Sequence, residues 1–263
     1  MKSLRLLHVL PTYLPPWHDG GPVVAVHGLC QALAARGHKV TVFTTDDRGA
    51  AANGETQGLL PFDGVDVWYF PVARPRRLYR SPAMAERLKS ELEGAGNFDL
   101  IHLHSVFLWP THAVARAAER ADVPYVVAPR GMLVRALLRR RGWLRKWLWI
   151  WLRERRTLTC AAAIHATSNL EKRDIEALGL RLESRIFVVG NGVDAESLAP
   201  VQDAALAPTV RAALERRREE GQVRHLLLFL GRLSWKKGLD RLIKALAKVK
   251  DATLIIAGHD EEG

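Results

Sequence analysis

Residues 224–238 read RHLLLFLGRLSWKKG, and this stretch decides the fold. Its first seven residues are almost continuously apolar and predict a buried β-strand. A basic loop bounded by Gly231 and Gly238 follows, and apolar residues then recur at helical spacing. A second apolar run, over 252–257, predicts another strand. Strand, glycine-bounded loop, helix and strand in this order predict the opening β-α-β unit of a nucleotide-binding domain.

The same alternation of strand and helix runs through the rest of the chain. Seven further strands are predicted at 4–10, 39–44, 65–72, 100–103, 125–128, 163–166 and 186–189. Continuous apolar strands of this kind are typical of a parallel sheet that is covered on both faces. The sequence therefore predicts an α/β fold with a Rossmann-like, doubly wound domain over 1–199 and a linker over 200–222. Residues 223–263 would form the first β-α-β unit of a second Rossmann-like domain.

Composition narrows the classes of protein. The chain has 263 residues, of which 48% are hydrophobic, enough for a sizeable core. Its two cysteines predict neither a disulfide framework nor a metal cluster. No apolar run reaches the ~20 residues of a spanning helix, and the first residues lack the apolar run of a signal peptide. We therefore expect a cytoplasmic protein.

Basic residues are concentrated in one segment of the chain. The net charge is +11, and ten basic residues but one acidic residue lie between Arg130 and Cys160. Within this segment Trp149 falls between Arg145 and Arg153 on the basic face of the predicted helix, where it would have no core to enter. Tryptophan beside arginine is typical of a helix at a membrane surface, so these three residues are predicted to meet anionic lipid.

The same segment leaves two other interpretations open. One helical face collects the apolar residues Leu144, Trp147, Leu148, Trp151 and Leu152. An amphipathic core helix with solvated arginines would have this pattern too. Nucleic acid is not expected as a partner, because the sequence shows neither a helix-turn-helix nor a zinc-finger pattern.

Ligands of an open parallel sheet bind at the carboxyl ends of its strands, and polar or glycine residues follow several of the predicted strands. They are Gly20 and Gly21, His104, Arg130 and Gly131, Ser168, Asn191, and, in the second domain, Arg232 and Lys237. Their convergence on one rim is more informative than any single residue. The sequence thus predicts a binding site along this edge.

Three parts of the rim suggest specific chemistry. Gly20 and Gly21 stand where a helix begins, which favours an anion site, although a tight turn is the alternative. Arg232 and Lys237 flank a loop before a helix, and two cations there suit a diphosphate. His104, next to the rim, could contact a substrate hydroxyl, or it could be a buried structural histidine. With His102 on the same strand face and no third ligand at metal spacing, no metal site is predicted.

Five motifs together resemble the family 4 glycosyltransferases of the GT-B fold. They are Gly20-Gly21, DLIHLH at 99–104, PRGM at 129–132, NGVD at 191–194 and GRLSWKKG at 231–238. The resemblance implies two Rossmann-like domains that face each other across a cleft. The N-terminal domain would mainly bind the acceptor and the C-terminal domain a nucleotide-diphosphate sugar. Transfer would proceed with retention and without a metal ion or other cofactor.

The resemblance also implies roles for individual residues. Arg232 and Lys237 would hold the donor diphosphate, and Gly20-Gly21 would lie close to the donor. His104 would touch the transferred sugar and is the predicted catalytic residue. The acceptor-side rim would comprise Arg130, Gly131, Ser168 and Asn191. Many relatives build surface polysaccharide on lipid carriers, so a glycan or polyprenyl-linked acceptor is expected, with the enzyme at the inner face of the cell membrane.

One part of the family's pattern is missing. The second domain of the family carries two glutamates eight residues apart, whereas Glu261 and Glu262 are adjacent and too early to match. The sequence therefore predicts a C-terminally truncated glycosyltransferase. The alternative is a non-catalytic remnant that acts only as an acceptor- or membrane-binding module.

Overall fold

A computed structural model provides the architecture of the chain. It describes residues 2–13, 21–46, 58–94, 98–138, 143–182, 185–193, 208–219, 225–234, 237–249 and 251–258. The chain divides into two units, Met1–Ser197 and Leu198–Gly263.

The first unit is built on an eight-stranded sheet. Its strands are β1 (Arg5–Val9), β2 (Lys39–Asp46), β3 (Gly58–Phe62), β4 (Val65–Pro71), β5 (Leu100–His104), β6 (Tyr125–Ala128), β7 (Ala163–Ala166) and β8 (Ile186–Val188). They lie in the order β3-β4-β2-β1-β5-β6-β7-β8, and every neighbouring pair except β3 and β4 is parallel. The predicted Rossmann-like, doubly wound sheet is confirmed. Its strand order reverses between β1 and β5, where ligands of such sheets bind.

Helices connect the strands of this sheet. They are α1 (Gly21–Ala35), α2 (Pro82–Glu93), α3 (Trp109–Arg120), α4 (Arg135–Leu138), α5 (Trp143–Trp149), α6 (Arg155–Cys160) and α7 (Asn169–Glu176). A π-helical turn, Ile150–Glu154, joins α5 to α6. The start of α2 is set by its N-cap. The Ser81 hydroxyl accepts a hydrogen bond from the Met84 amide, and Pro82 is the first residue of the helix.

Alternate residues of β1 show that the sheet is covered on both faces. Leu7 and Val9 belong to one apolar cluster, which includes Met84 of α2. Leu6 and Leu10 belong to the other, which is closed by α1. Burial on both faces explains why the strands are continuously apolar rather than alternating.

Strand β3 was not predicted from the sequence. It pairs antiparallel with β4 at the edge of the sheet, and Asp63 and Gly64 form the hairpin turn between them. Both turn residues have positive φ, 51° and 77°, as a two-residue hairpin of this kind requires. The Asp-Gly pair was thus a local hairpin signal that could have identified β3.

The second unit of the chain contains the predicted β-α-β segment of residues 223–263. Its elements are α8 (Pro208–Glu219), β9 (His225–Leu230), α9 (Leu239–Leu246) and β10 (Ala252–Ala257). Strands β9 and β10 are parallel and in register from His225 opposite Ala252 to Leu230 opposite Ala257. The predicted β-α-β unit is therefore confirmed. The prediction that its strands are buried is wrong, because neither β9 nor β10 contains a buried residue and α9 buries none of its own either.

The carboxyl ends of β9 and β10 meet through two glycines. A Cβ atom at Gly258 would lie 1.8 Å from the carbonyl oxygen of Gly231. No side chain fits at that distance, so only glycine at 258 allows the backbone to pass Gly231, the first residue of the predicted diphosphate loop.

We expect Gly258→Ala to destabilise the second unit by about 1–3 kcal/mol, as other forced overpacking does. The matched control is Gly28→Ala, because a Cβ at this helical glycine meets nothing within 4 Å. Urea unfolding measures both variants, and the control should be neutral or slightly stabilised, since alanine favours helix by up to about 1 kcal/mol. Equal stability of Gly258→Ala and the parent chain would show that the close approach is not a constraint.

Candidate functional site

Four histidines lie beneath the carboxyl edge of the first sheet. His8 is on β1, His102 and His104 are on β5, and His165 is on β7. The His102 and His104 rings lie with centroids 4.1 Å apart, which confirms that they share a face. The pairing of β1 with β5 places His8 opposite His102. The sequence pattern did not reveal His8 as a member of this cluster.

Arg130 determines which ring nitrogen of His104 carries the proton. Its Nη2 lies 3.2 Å from His104 Nδ1. Because a guanidinium can only donate, Nδ1 must accept, and the proton of neutral His104 is on Nε2. His104 Nε2 lies 3.0 Å from His8 Nδ1, so it donates to His8. A directed chain of hydrogen bonds therefore runs from Arg130 through His104 to His8.

A second chain of the same kind ends on the backbone. His165 Nε2 lies 2.9 Å from the carbonyl oxygen of Val189, which can only accept, so His165 Nε2 carries its proton. His165 Nδ1 then accepts from His102 Nε2, 3.3 Å away. The two chains together satisfy buried ring nitrogens that would otherwise be costly to remove from water.

These histidines are neutral at physiological pH. Burial, and to a smaller extent the positive charge of Arg130, lowers the pKa of His8 from 6.5 to about 3. Burial also lowers the pKa of His102 and His104 well below 6.5, and the neighbouring histidines and Arg130 act in the same direction. Burial is the main reason that the cluster stays uncharged, and repulsion by Arg130 acts in the same direction.

Three of the histidines come close enough together to suggest a metal centre. One nitrogen from each of His8, His102 and His104 lies within 4.8 Å of the others. The tautomer set by Arg130 opposes metal binding, however, because the proton on His104 Nε2 occupies the lone pair that a metal would need. The geometry therefore fits a hydrogen-bond relay better than a metal site, and the expectation that no metal is used stays a prediction.

The predicted catalytic residue His104 is buried rather than placed at the rim. Only 3% of it is exposed, and both ring nitrogens are engaged within the protein. Arg130, which covers it, is only partly buried, and a second guanidinium nitrogen donates to Asn191 Oδ1. Two predicted rim residues, Arg130 and Asn191, are thus brought into contact. A direct contact of His104 with a sugar stays a prediction.

A cavity of about 230 Å³ lies between this relay and the start of α1. Its lining consists of Leu10, Pro11, Thr12, Pro22, Val23, Val26, His104, Ser105, Arg130 and Met132. The Nε atom of Arg130 is buried and has no hydrogen-bond partner among the residues that the structure describes. Gly21 is the first residue of α1, whereas Gly20 lies outside the described residues. The cavity is thus lined by Arg130 on one side and by the first turn of α1 on the other.

Glu171 holds the turn that carries Arg130. This turn has left-handed backbone at Arg130 and Gly131, with φ of 53° and 79°. The buried Glu171 carboxylate accepts from the amide of Gly131 at 2.6 Å and from the amide and hydroxyl of Thr167 at 2.7 and 2.6 Å. The predicted rim residue Ser168 caps α7 by accepting from the Glu171 amide. Ser168 and Glu171 have the spacing of a capping box, a signal that could have identified Glu171.

In the second unit, the predicted diphosphate loop leads into α9. Gly238 has φ of 70° and directly precedes the helix, and Lys237 is exposed. Arg232 is partly buried directly after Gly231. Both predicted cations therefore lie between the end of β9 and the start of α9, as the sequence indicated, while Trp235 and Lys236 lie outside the described residues.

The prediction that Trp149 has no core to enter is wrong. Its indole nitrogen donates to Glu154 Oε1 at 3.2 Å, and the residue is partly buried. Glu154 is fully buried and also accepts from the Phe107 amide, with His112 Nε2 at 2.9 Å. A buried acidic residue thus draws Trp149 inward. Arg153 is exposed, and the side chain of Arg145 lies outside the described residues.

The fold and motifs match known proteins over nearly the whole chain. The model of Glycosyltransferase Family 4 matches residues 19–197. This range includes Arg130, Glu171 and three of the four histidines.

The chain belongs to glycosyltransferase family 4.

Individual relatives agree with this membership. An uncharacterised glycosyltransferase of Methanocaldococcus jannaschii is 26% identical over 94% of the chain and 61% of the relative. The D-inositol 3-phosphate glycosyltransferase of Xylanimonas cellulosilytica is 29% identical over 97% of the chain and 62% of the relative. The chain thus spans about three-fifths of the length of these relatives.

Solved structures show the fold. Anabaena HepE, crystallised with UDP and glucose, has a TM-score of 0.62 and 18% identity, covering 98% of this family 4 chain and 62% of HepE. At that identity the likeness establishes the arrangement of elements. It confirms the GT-B type of fold that the motifs predicted.

Glu171→Ala in this family 4 protein should lower the free energy of unfolding by several kcal/mol, since three partly buried donors lose their acceptor at about 1–3 kcal/mol each. Glu176→Ala on the same helix is the control. Its carboxylate forms a partly exposed ion pair with Lys172, at 3.8 Å, which contributes about 0–1 kcal/mol. Urea unfolding compares the two. Equal losses would mean that Glu171 does not hold the turn.

The histidine relay should make stability depend on pH. Below pH 6.5 the unfolded chain binds a proton at His8 that the folded chain does not, because the folded pKa is about 3. The contribution of neutral, buried His8 to the free energy of unfolding is thus complete above pH 6.5 and is lost as the pH falls towards 3. His8→Asn, whose amide oxygen can still accept from His104, should lose less stability than the parent between pH 7 and 5, by up to about 1.4 kcal/mol per pH unit. Identical pH profiles in urea unfolding would contradict this.

Proposed function

We propose that this family 4 protein takes part in transfer of a sugar from a nucleotide-diphosphate sugar to a glycan or lipid-linked acceptor. The observation that carries the proposal is the family match over 19–197. It is supported by the two cations of the second unit, which the family model does not cover. Relatives are named as an inositol phosphate glycosyltransferase and a glycogen synthase, and HepE has been solved with UDP-glucose.

Arg232 and Lys237 are proposed to hold the donor diphosphate. They lie in the loop that opens α9, where backbone amides and the helix dipole add positive potential. During transfer the bond between the anomeric carbon and the diphosphate oxygen breaks, and the leaving diphosphate gains negative charge. Cations placed in advance at that oxygen stabilise the transition state more than the ground state.

The cavity of the first unit is proposed to receive sugar or acceptor hydroxyl groups. Arg130 lines this cavity, and the rim residue Asn191 is held beside it by the same guanidinium. The acceptor oxygen bonds to the anomeric carbon and releases its proton as the diphosphate leaves. Retention of configuration places the new bond on the face that the diphosphate leaves, and this stereochemistry is part of the proposal.

We further propose that the acceptor is lipid-linked and that the protein takes part in surface polysaccharide synthesis at the inner membrane face. The +9 charge of residues 130–160 supports it, because such a segment favours anionic lipid. The structure contains no helix, among the residues it describes, that is long and apolar enough to cross a bilayer.

A donor screen tests the function directly. The chain is incubated with UDP-, ADP- and GDP-sugars, and binding, hydrolysis and transfer to a polyprenyl phosphate or glycan acceptor are measured separately. Binding with transfer supports the proposal. Acceptor binding without donor binding would support the alternative, a non-catalytic module.

Arg232→Ala/Lys237→Ala should weaken binding of the nucleotide sugar at least about tenfold, because each charge-assisted hydrogen bond contributes about 1.5–3 kcal/mol. The control, Lys244→Ala/Lys248→Ala, removes the same amount of charge from exposed positions of the same unit. Titration calorimetry with UDP and UDP-glucose measures both variants. An equal loss of affinity in both double variants would mean that only net charge matters. Unchanged affinity of Arg232→Ala/Lys237→Ala would refute the diphosphate assignment.

A further inference from the structure

Helix α5 and the π-helical turn expose one apolar face to solvent. This is the face that an amphipathic core helix would have buried. Its large apolar side chains are mostly exposed: Leu144 by 65%, Trp147 by 41%, Leu148 by 57%, Trp151 by 65% and Leu152 by 56%. Five such side chains within nine residues form a contiguous patch of the kind that marks an interaction surface. We call this patch the apolar ridge.

The ridge cannot turn inward because the opposite face is fixed. Ile150, Glu154 and Thr157 are buried there, with 2%, 0% and 0% exposure. The Glu154 carboxylate accepts from the Trp149 indole and from the Phe107 amide. Rolling the helix to bury the ridge would remove this carboxylate from both donors and leave them unpaired. The outward orientation is therefore built into the fold.

The π-helical turn joins the ridge to α6 within the same fixed arrangement. The Arg155 amide donates to the carbonyl oxygen of Ile150, an i to i+5 bond. Turns of this type are rare and are found frequently at functional sites. Here the turn begins at the inward-facing Ile150 and ends at Glu154, so it holds both anchors of the buried face.

The charges around the ridge indicate what covers it. Arg153 and Arg155 are exposed beside it, whereas the one acidic residue of the segment, Glu154, is fully buried. The accessible side chains are thus apolar, indole or cationic. A protein partner of matching chemistry would need an acidic rim around an apolar groove, while a bilayer with anionic headgroups supplies both layers at once.

We propose that the apolar ridge lies in the headgroup–acyl boundary of an anionic bilayer, with Leu144, Leu148, Trp151 and Leu152 inserted and the exposed arginines on headgroup phosphates. This assigns lipid contact to a different face from the one that Trp149 marks in the sequence. The inference rests on the proposed function for its purpose, which is access to a lipid-linked acceptor. It does not rest on that function for its test.

Vesicle binding of the 263-residue chain is the test. Sedimentation with phosphatidylglycerol/phosphatidylcholine vesicles and with pure phosphatidylcholine vesicles should show binding to the anionic vesicles, weakened by salt. Leu148→Glu/Leu152→Glu should reduce the partition coefficient at least about tenfold. Both positions are more than half exposed, so the variant keeps its core, which circular dichroism checks.

Leu170→Glu is the control, because this leucine of helix α7 is also more than half exposed, by 65%, and lies outside the ridge. It should bind vesicles like the parent chain. The proposal is overturned if the folded parent does not bind anionic vesicles at low salt, if it binds neutral vesicles equally well, or if the ridge variant and the control lose binding alike. It is also overturned if light scattering shows a dimer that the ridge substitutions dissociate while vesicle binding is unchanged.

The assay contains neither donor nor acceptor, so its outcome is separate from that of the sugar-transfer experiment. Loss of vesicle binding with intact donor binding would remove this inference and leave the proposed function. Vesicle binding without donor binding would leave the ridge and remove the proposed function.

Discussion

The hydrogen bond from Arg130 to His104 is the contact on which the polar interior of the first unit depends. A guanidinium has no acceptor, so this one bond decides the tautomer of His104 and, through it, that of His8. The bond also requires His104 to be neutral, since an imidazolium would place two cations 3.2 Å apart in a buried setting. The relay lies where the strand order reverses between β1 and β5, so the position that the fold reserves for ligands is also its most constrained polar position.

Two buried carboxylates hold the loops around this relay by the same physical means. Glu171 accepts from the amide of Gly131 after β6, and Glu154 accepts from the amide of Phe107 after β5. Both loops contain left-handed backbone, with φ of 79° at Gly131 and 66° at Phe107. Loops of this shape cannot satisfy their own amides within secondary structure, so an acceptor must come from elsewhere in the chain. In each case a later helix supplies it, which makes the loops at the sheet edge rigid.

The sequence predicted the sheet well and its polar partners poorly, for reasons of locality. Apolar strands are recognised by their own residues, and Tyr125–Ala128 and Ala252–Ala257 were found with the observed bounds, although only the first of them is buried. The position of His8 in the cluster depends on the register of β1 against β5, which brings residues 94 positions apart together and leaves no local pattern. Arg130 and Asn191 were both predicted at the rim, but their contact across 61 positions was not. Periodicity reports which face a residue shares with its neighbours, and it does not report which distant group lies opposite.

The apolar ridge shows which effect prevails when apolar burial and polar satisfaction disagree. Periodicity alone favours turning Leu144, Leu148 and Trp151 inward, because each buried side chain of this size contributes about 1.5–3 kcal/mol. That free energy is gained only where a cavity or surface waits to receive the side chains. Separating the buried Glu154 carboxylate from its donors, by contrast, costs about 1–3 kcal/mol for each group left unpaired, wherever the ridge goes. The carboxylate therefore sets the orientation of the helix, and the hydrophobic free energy of the ridge stays available for whatever surface the protein meets.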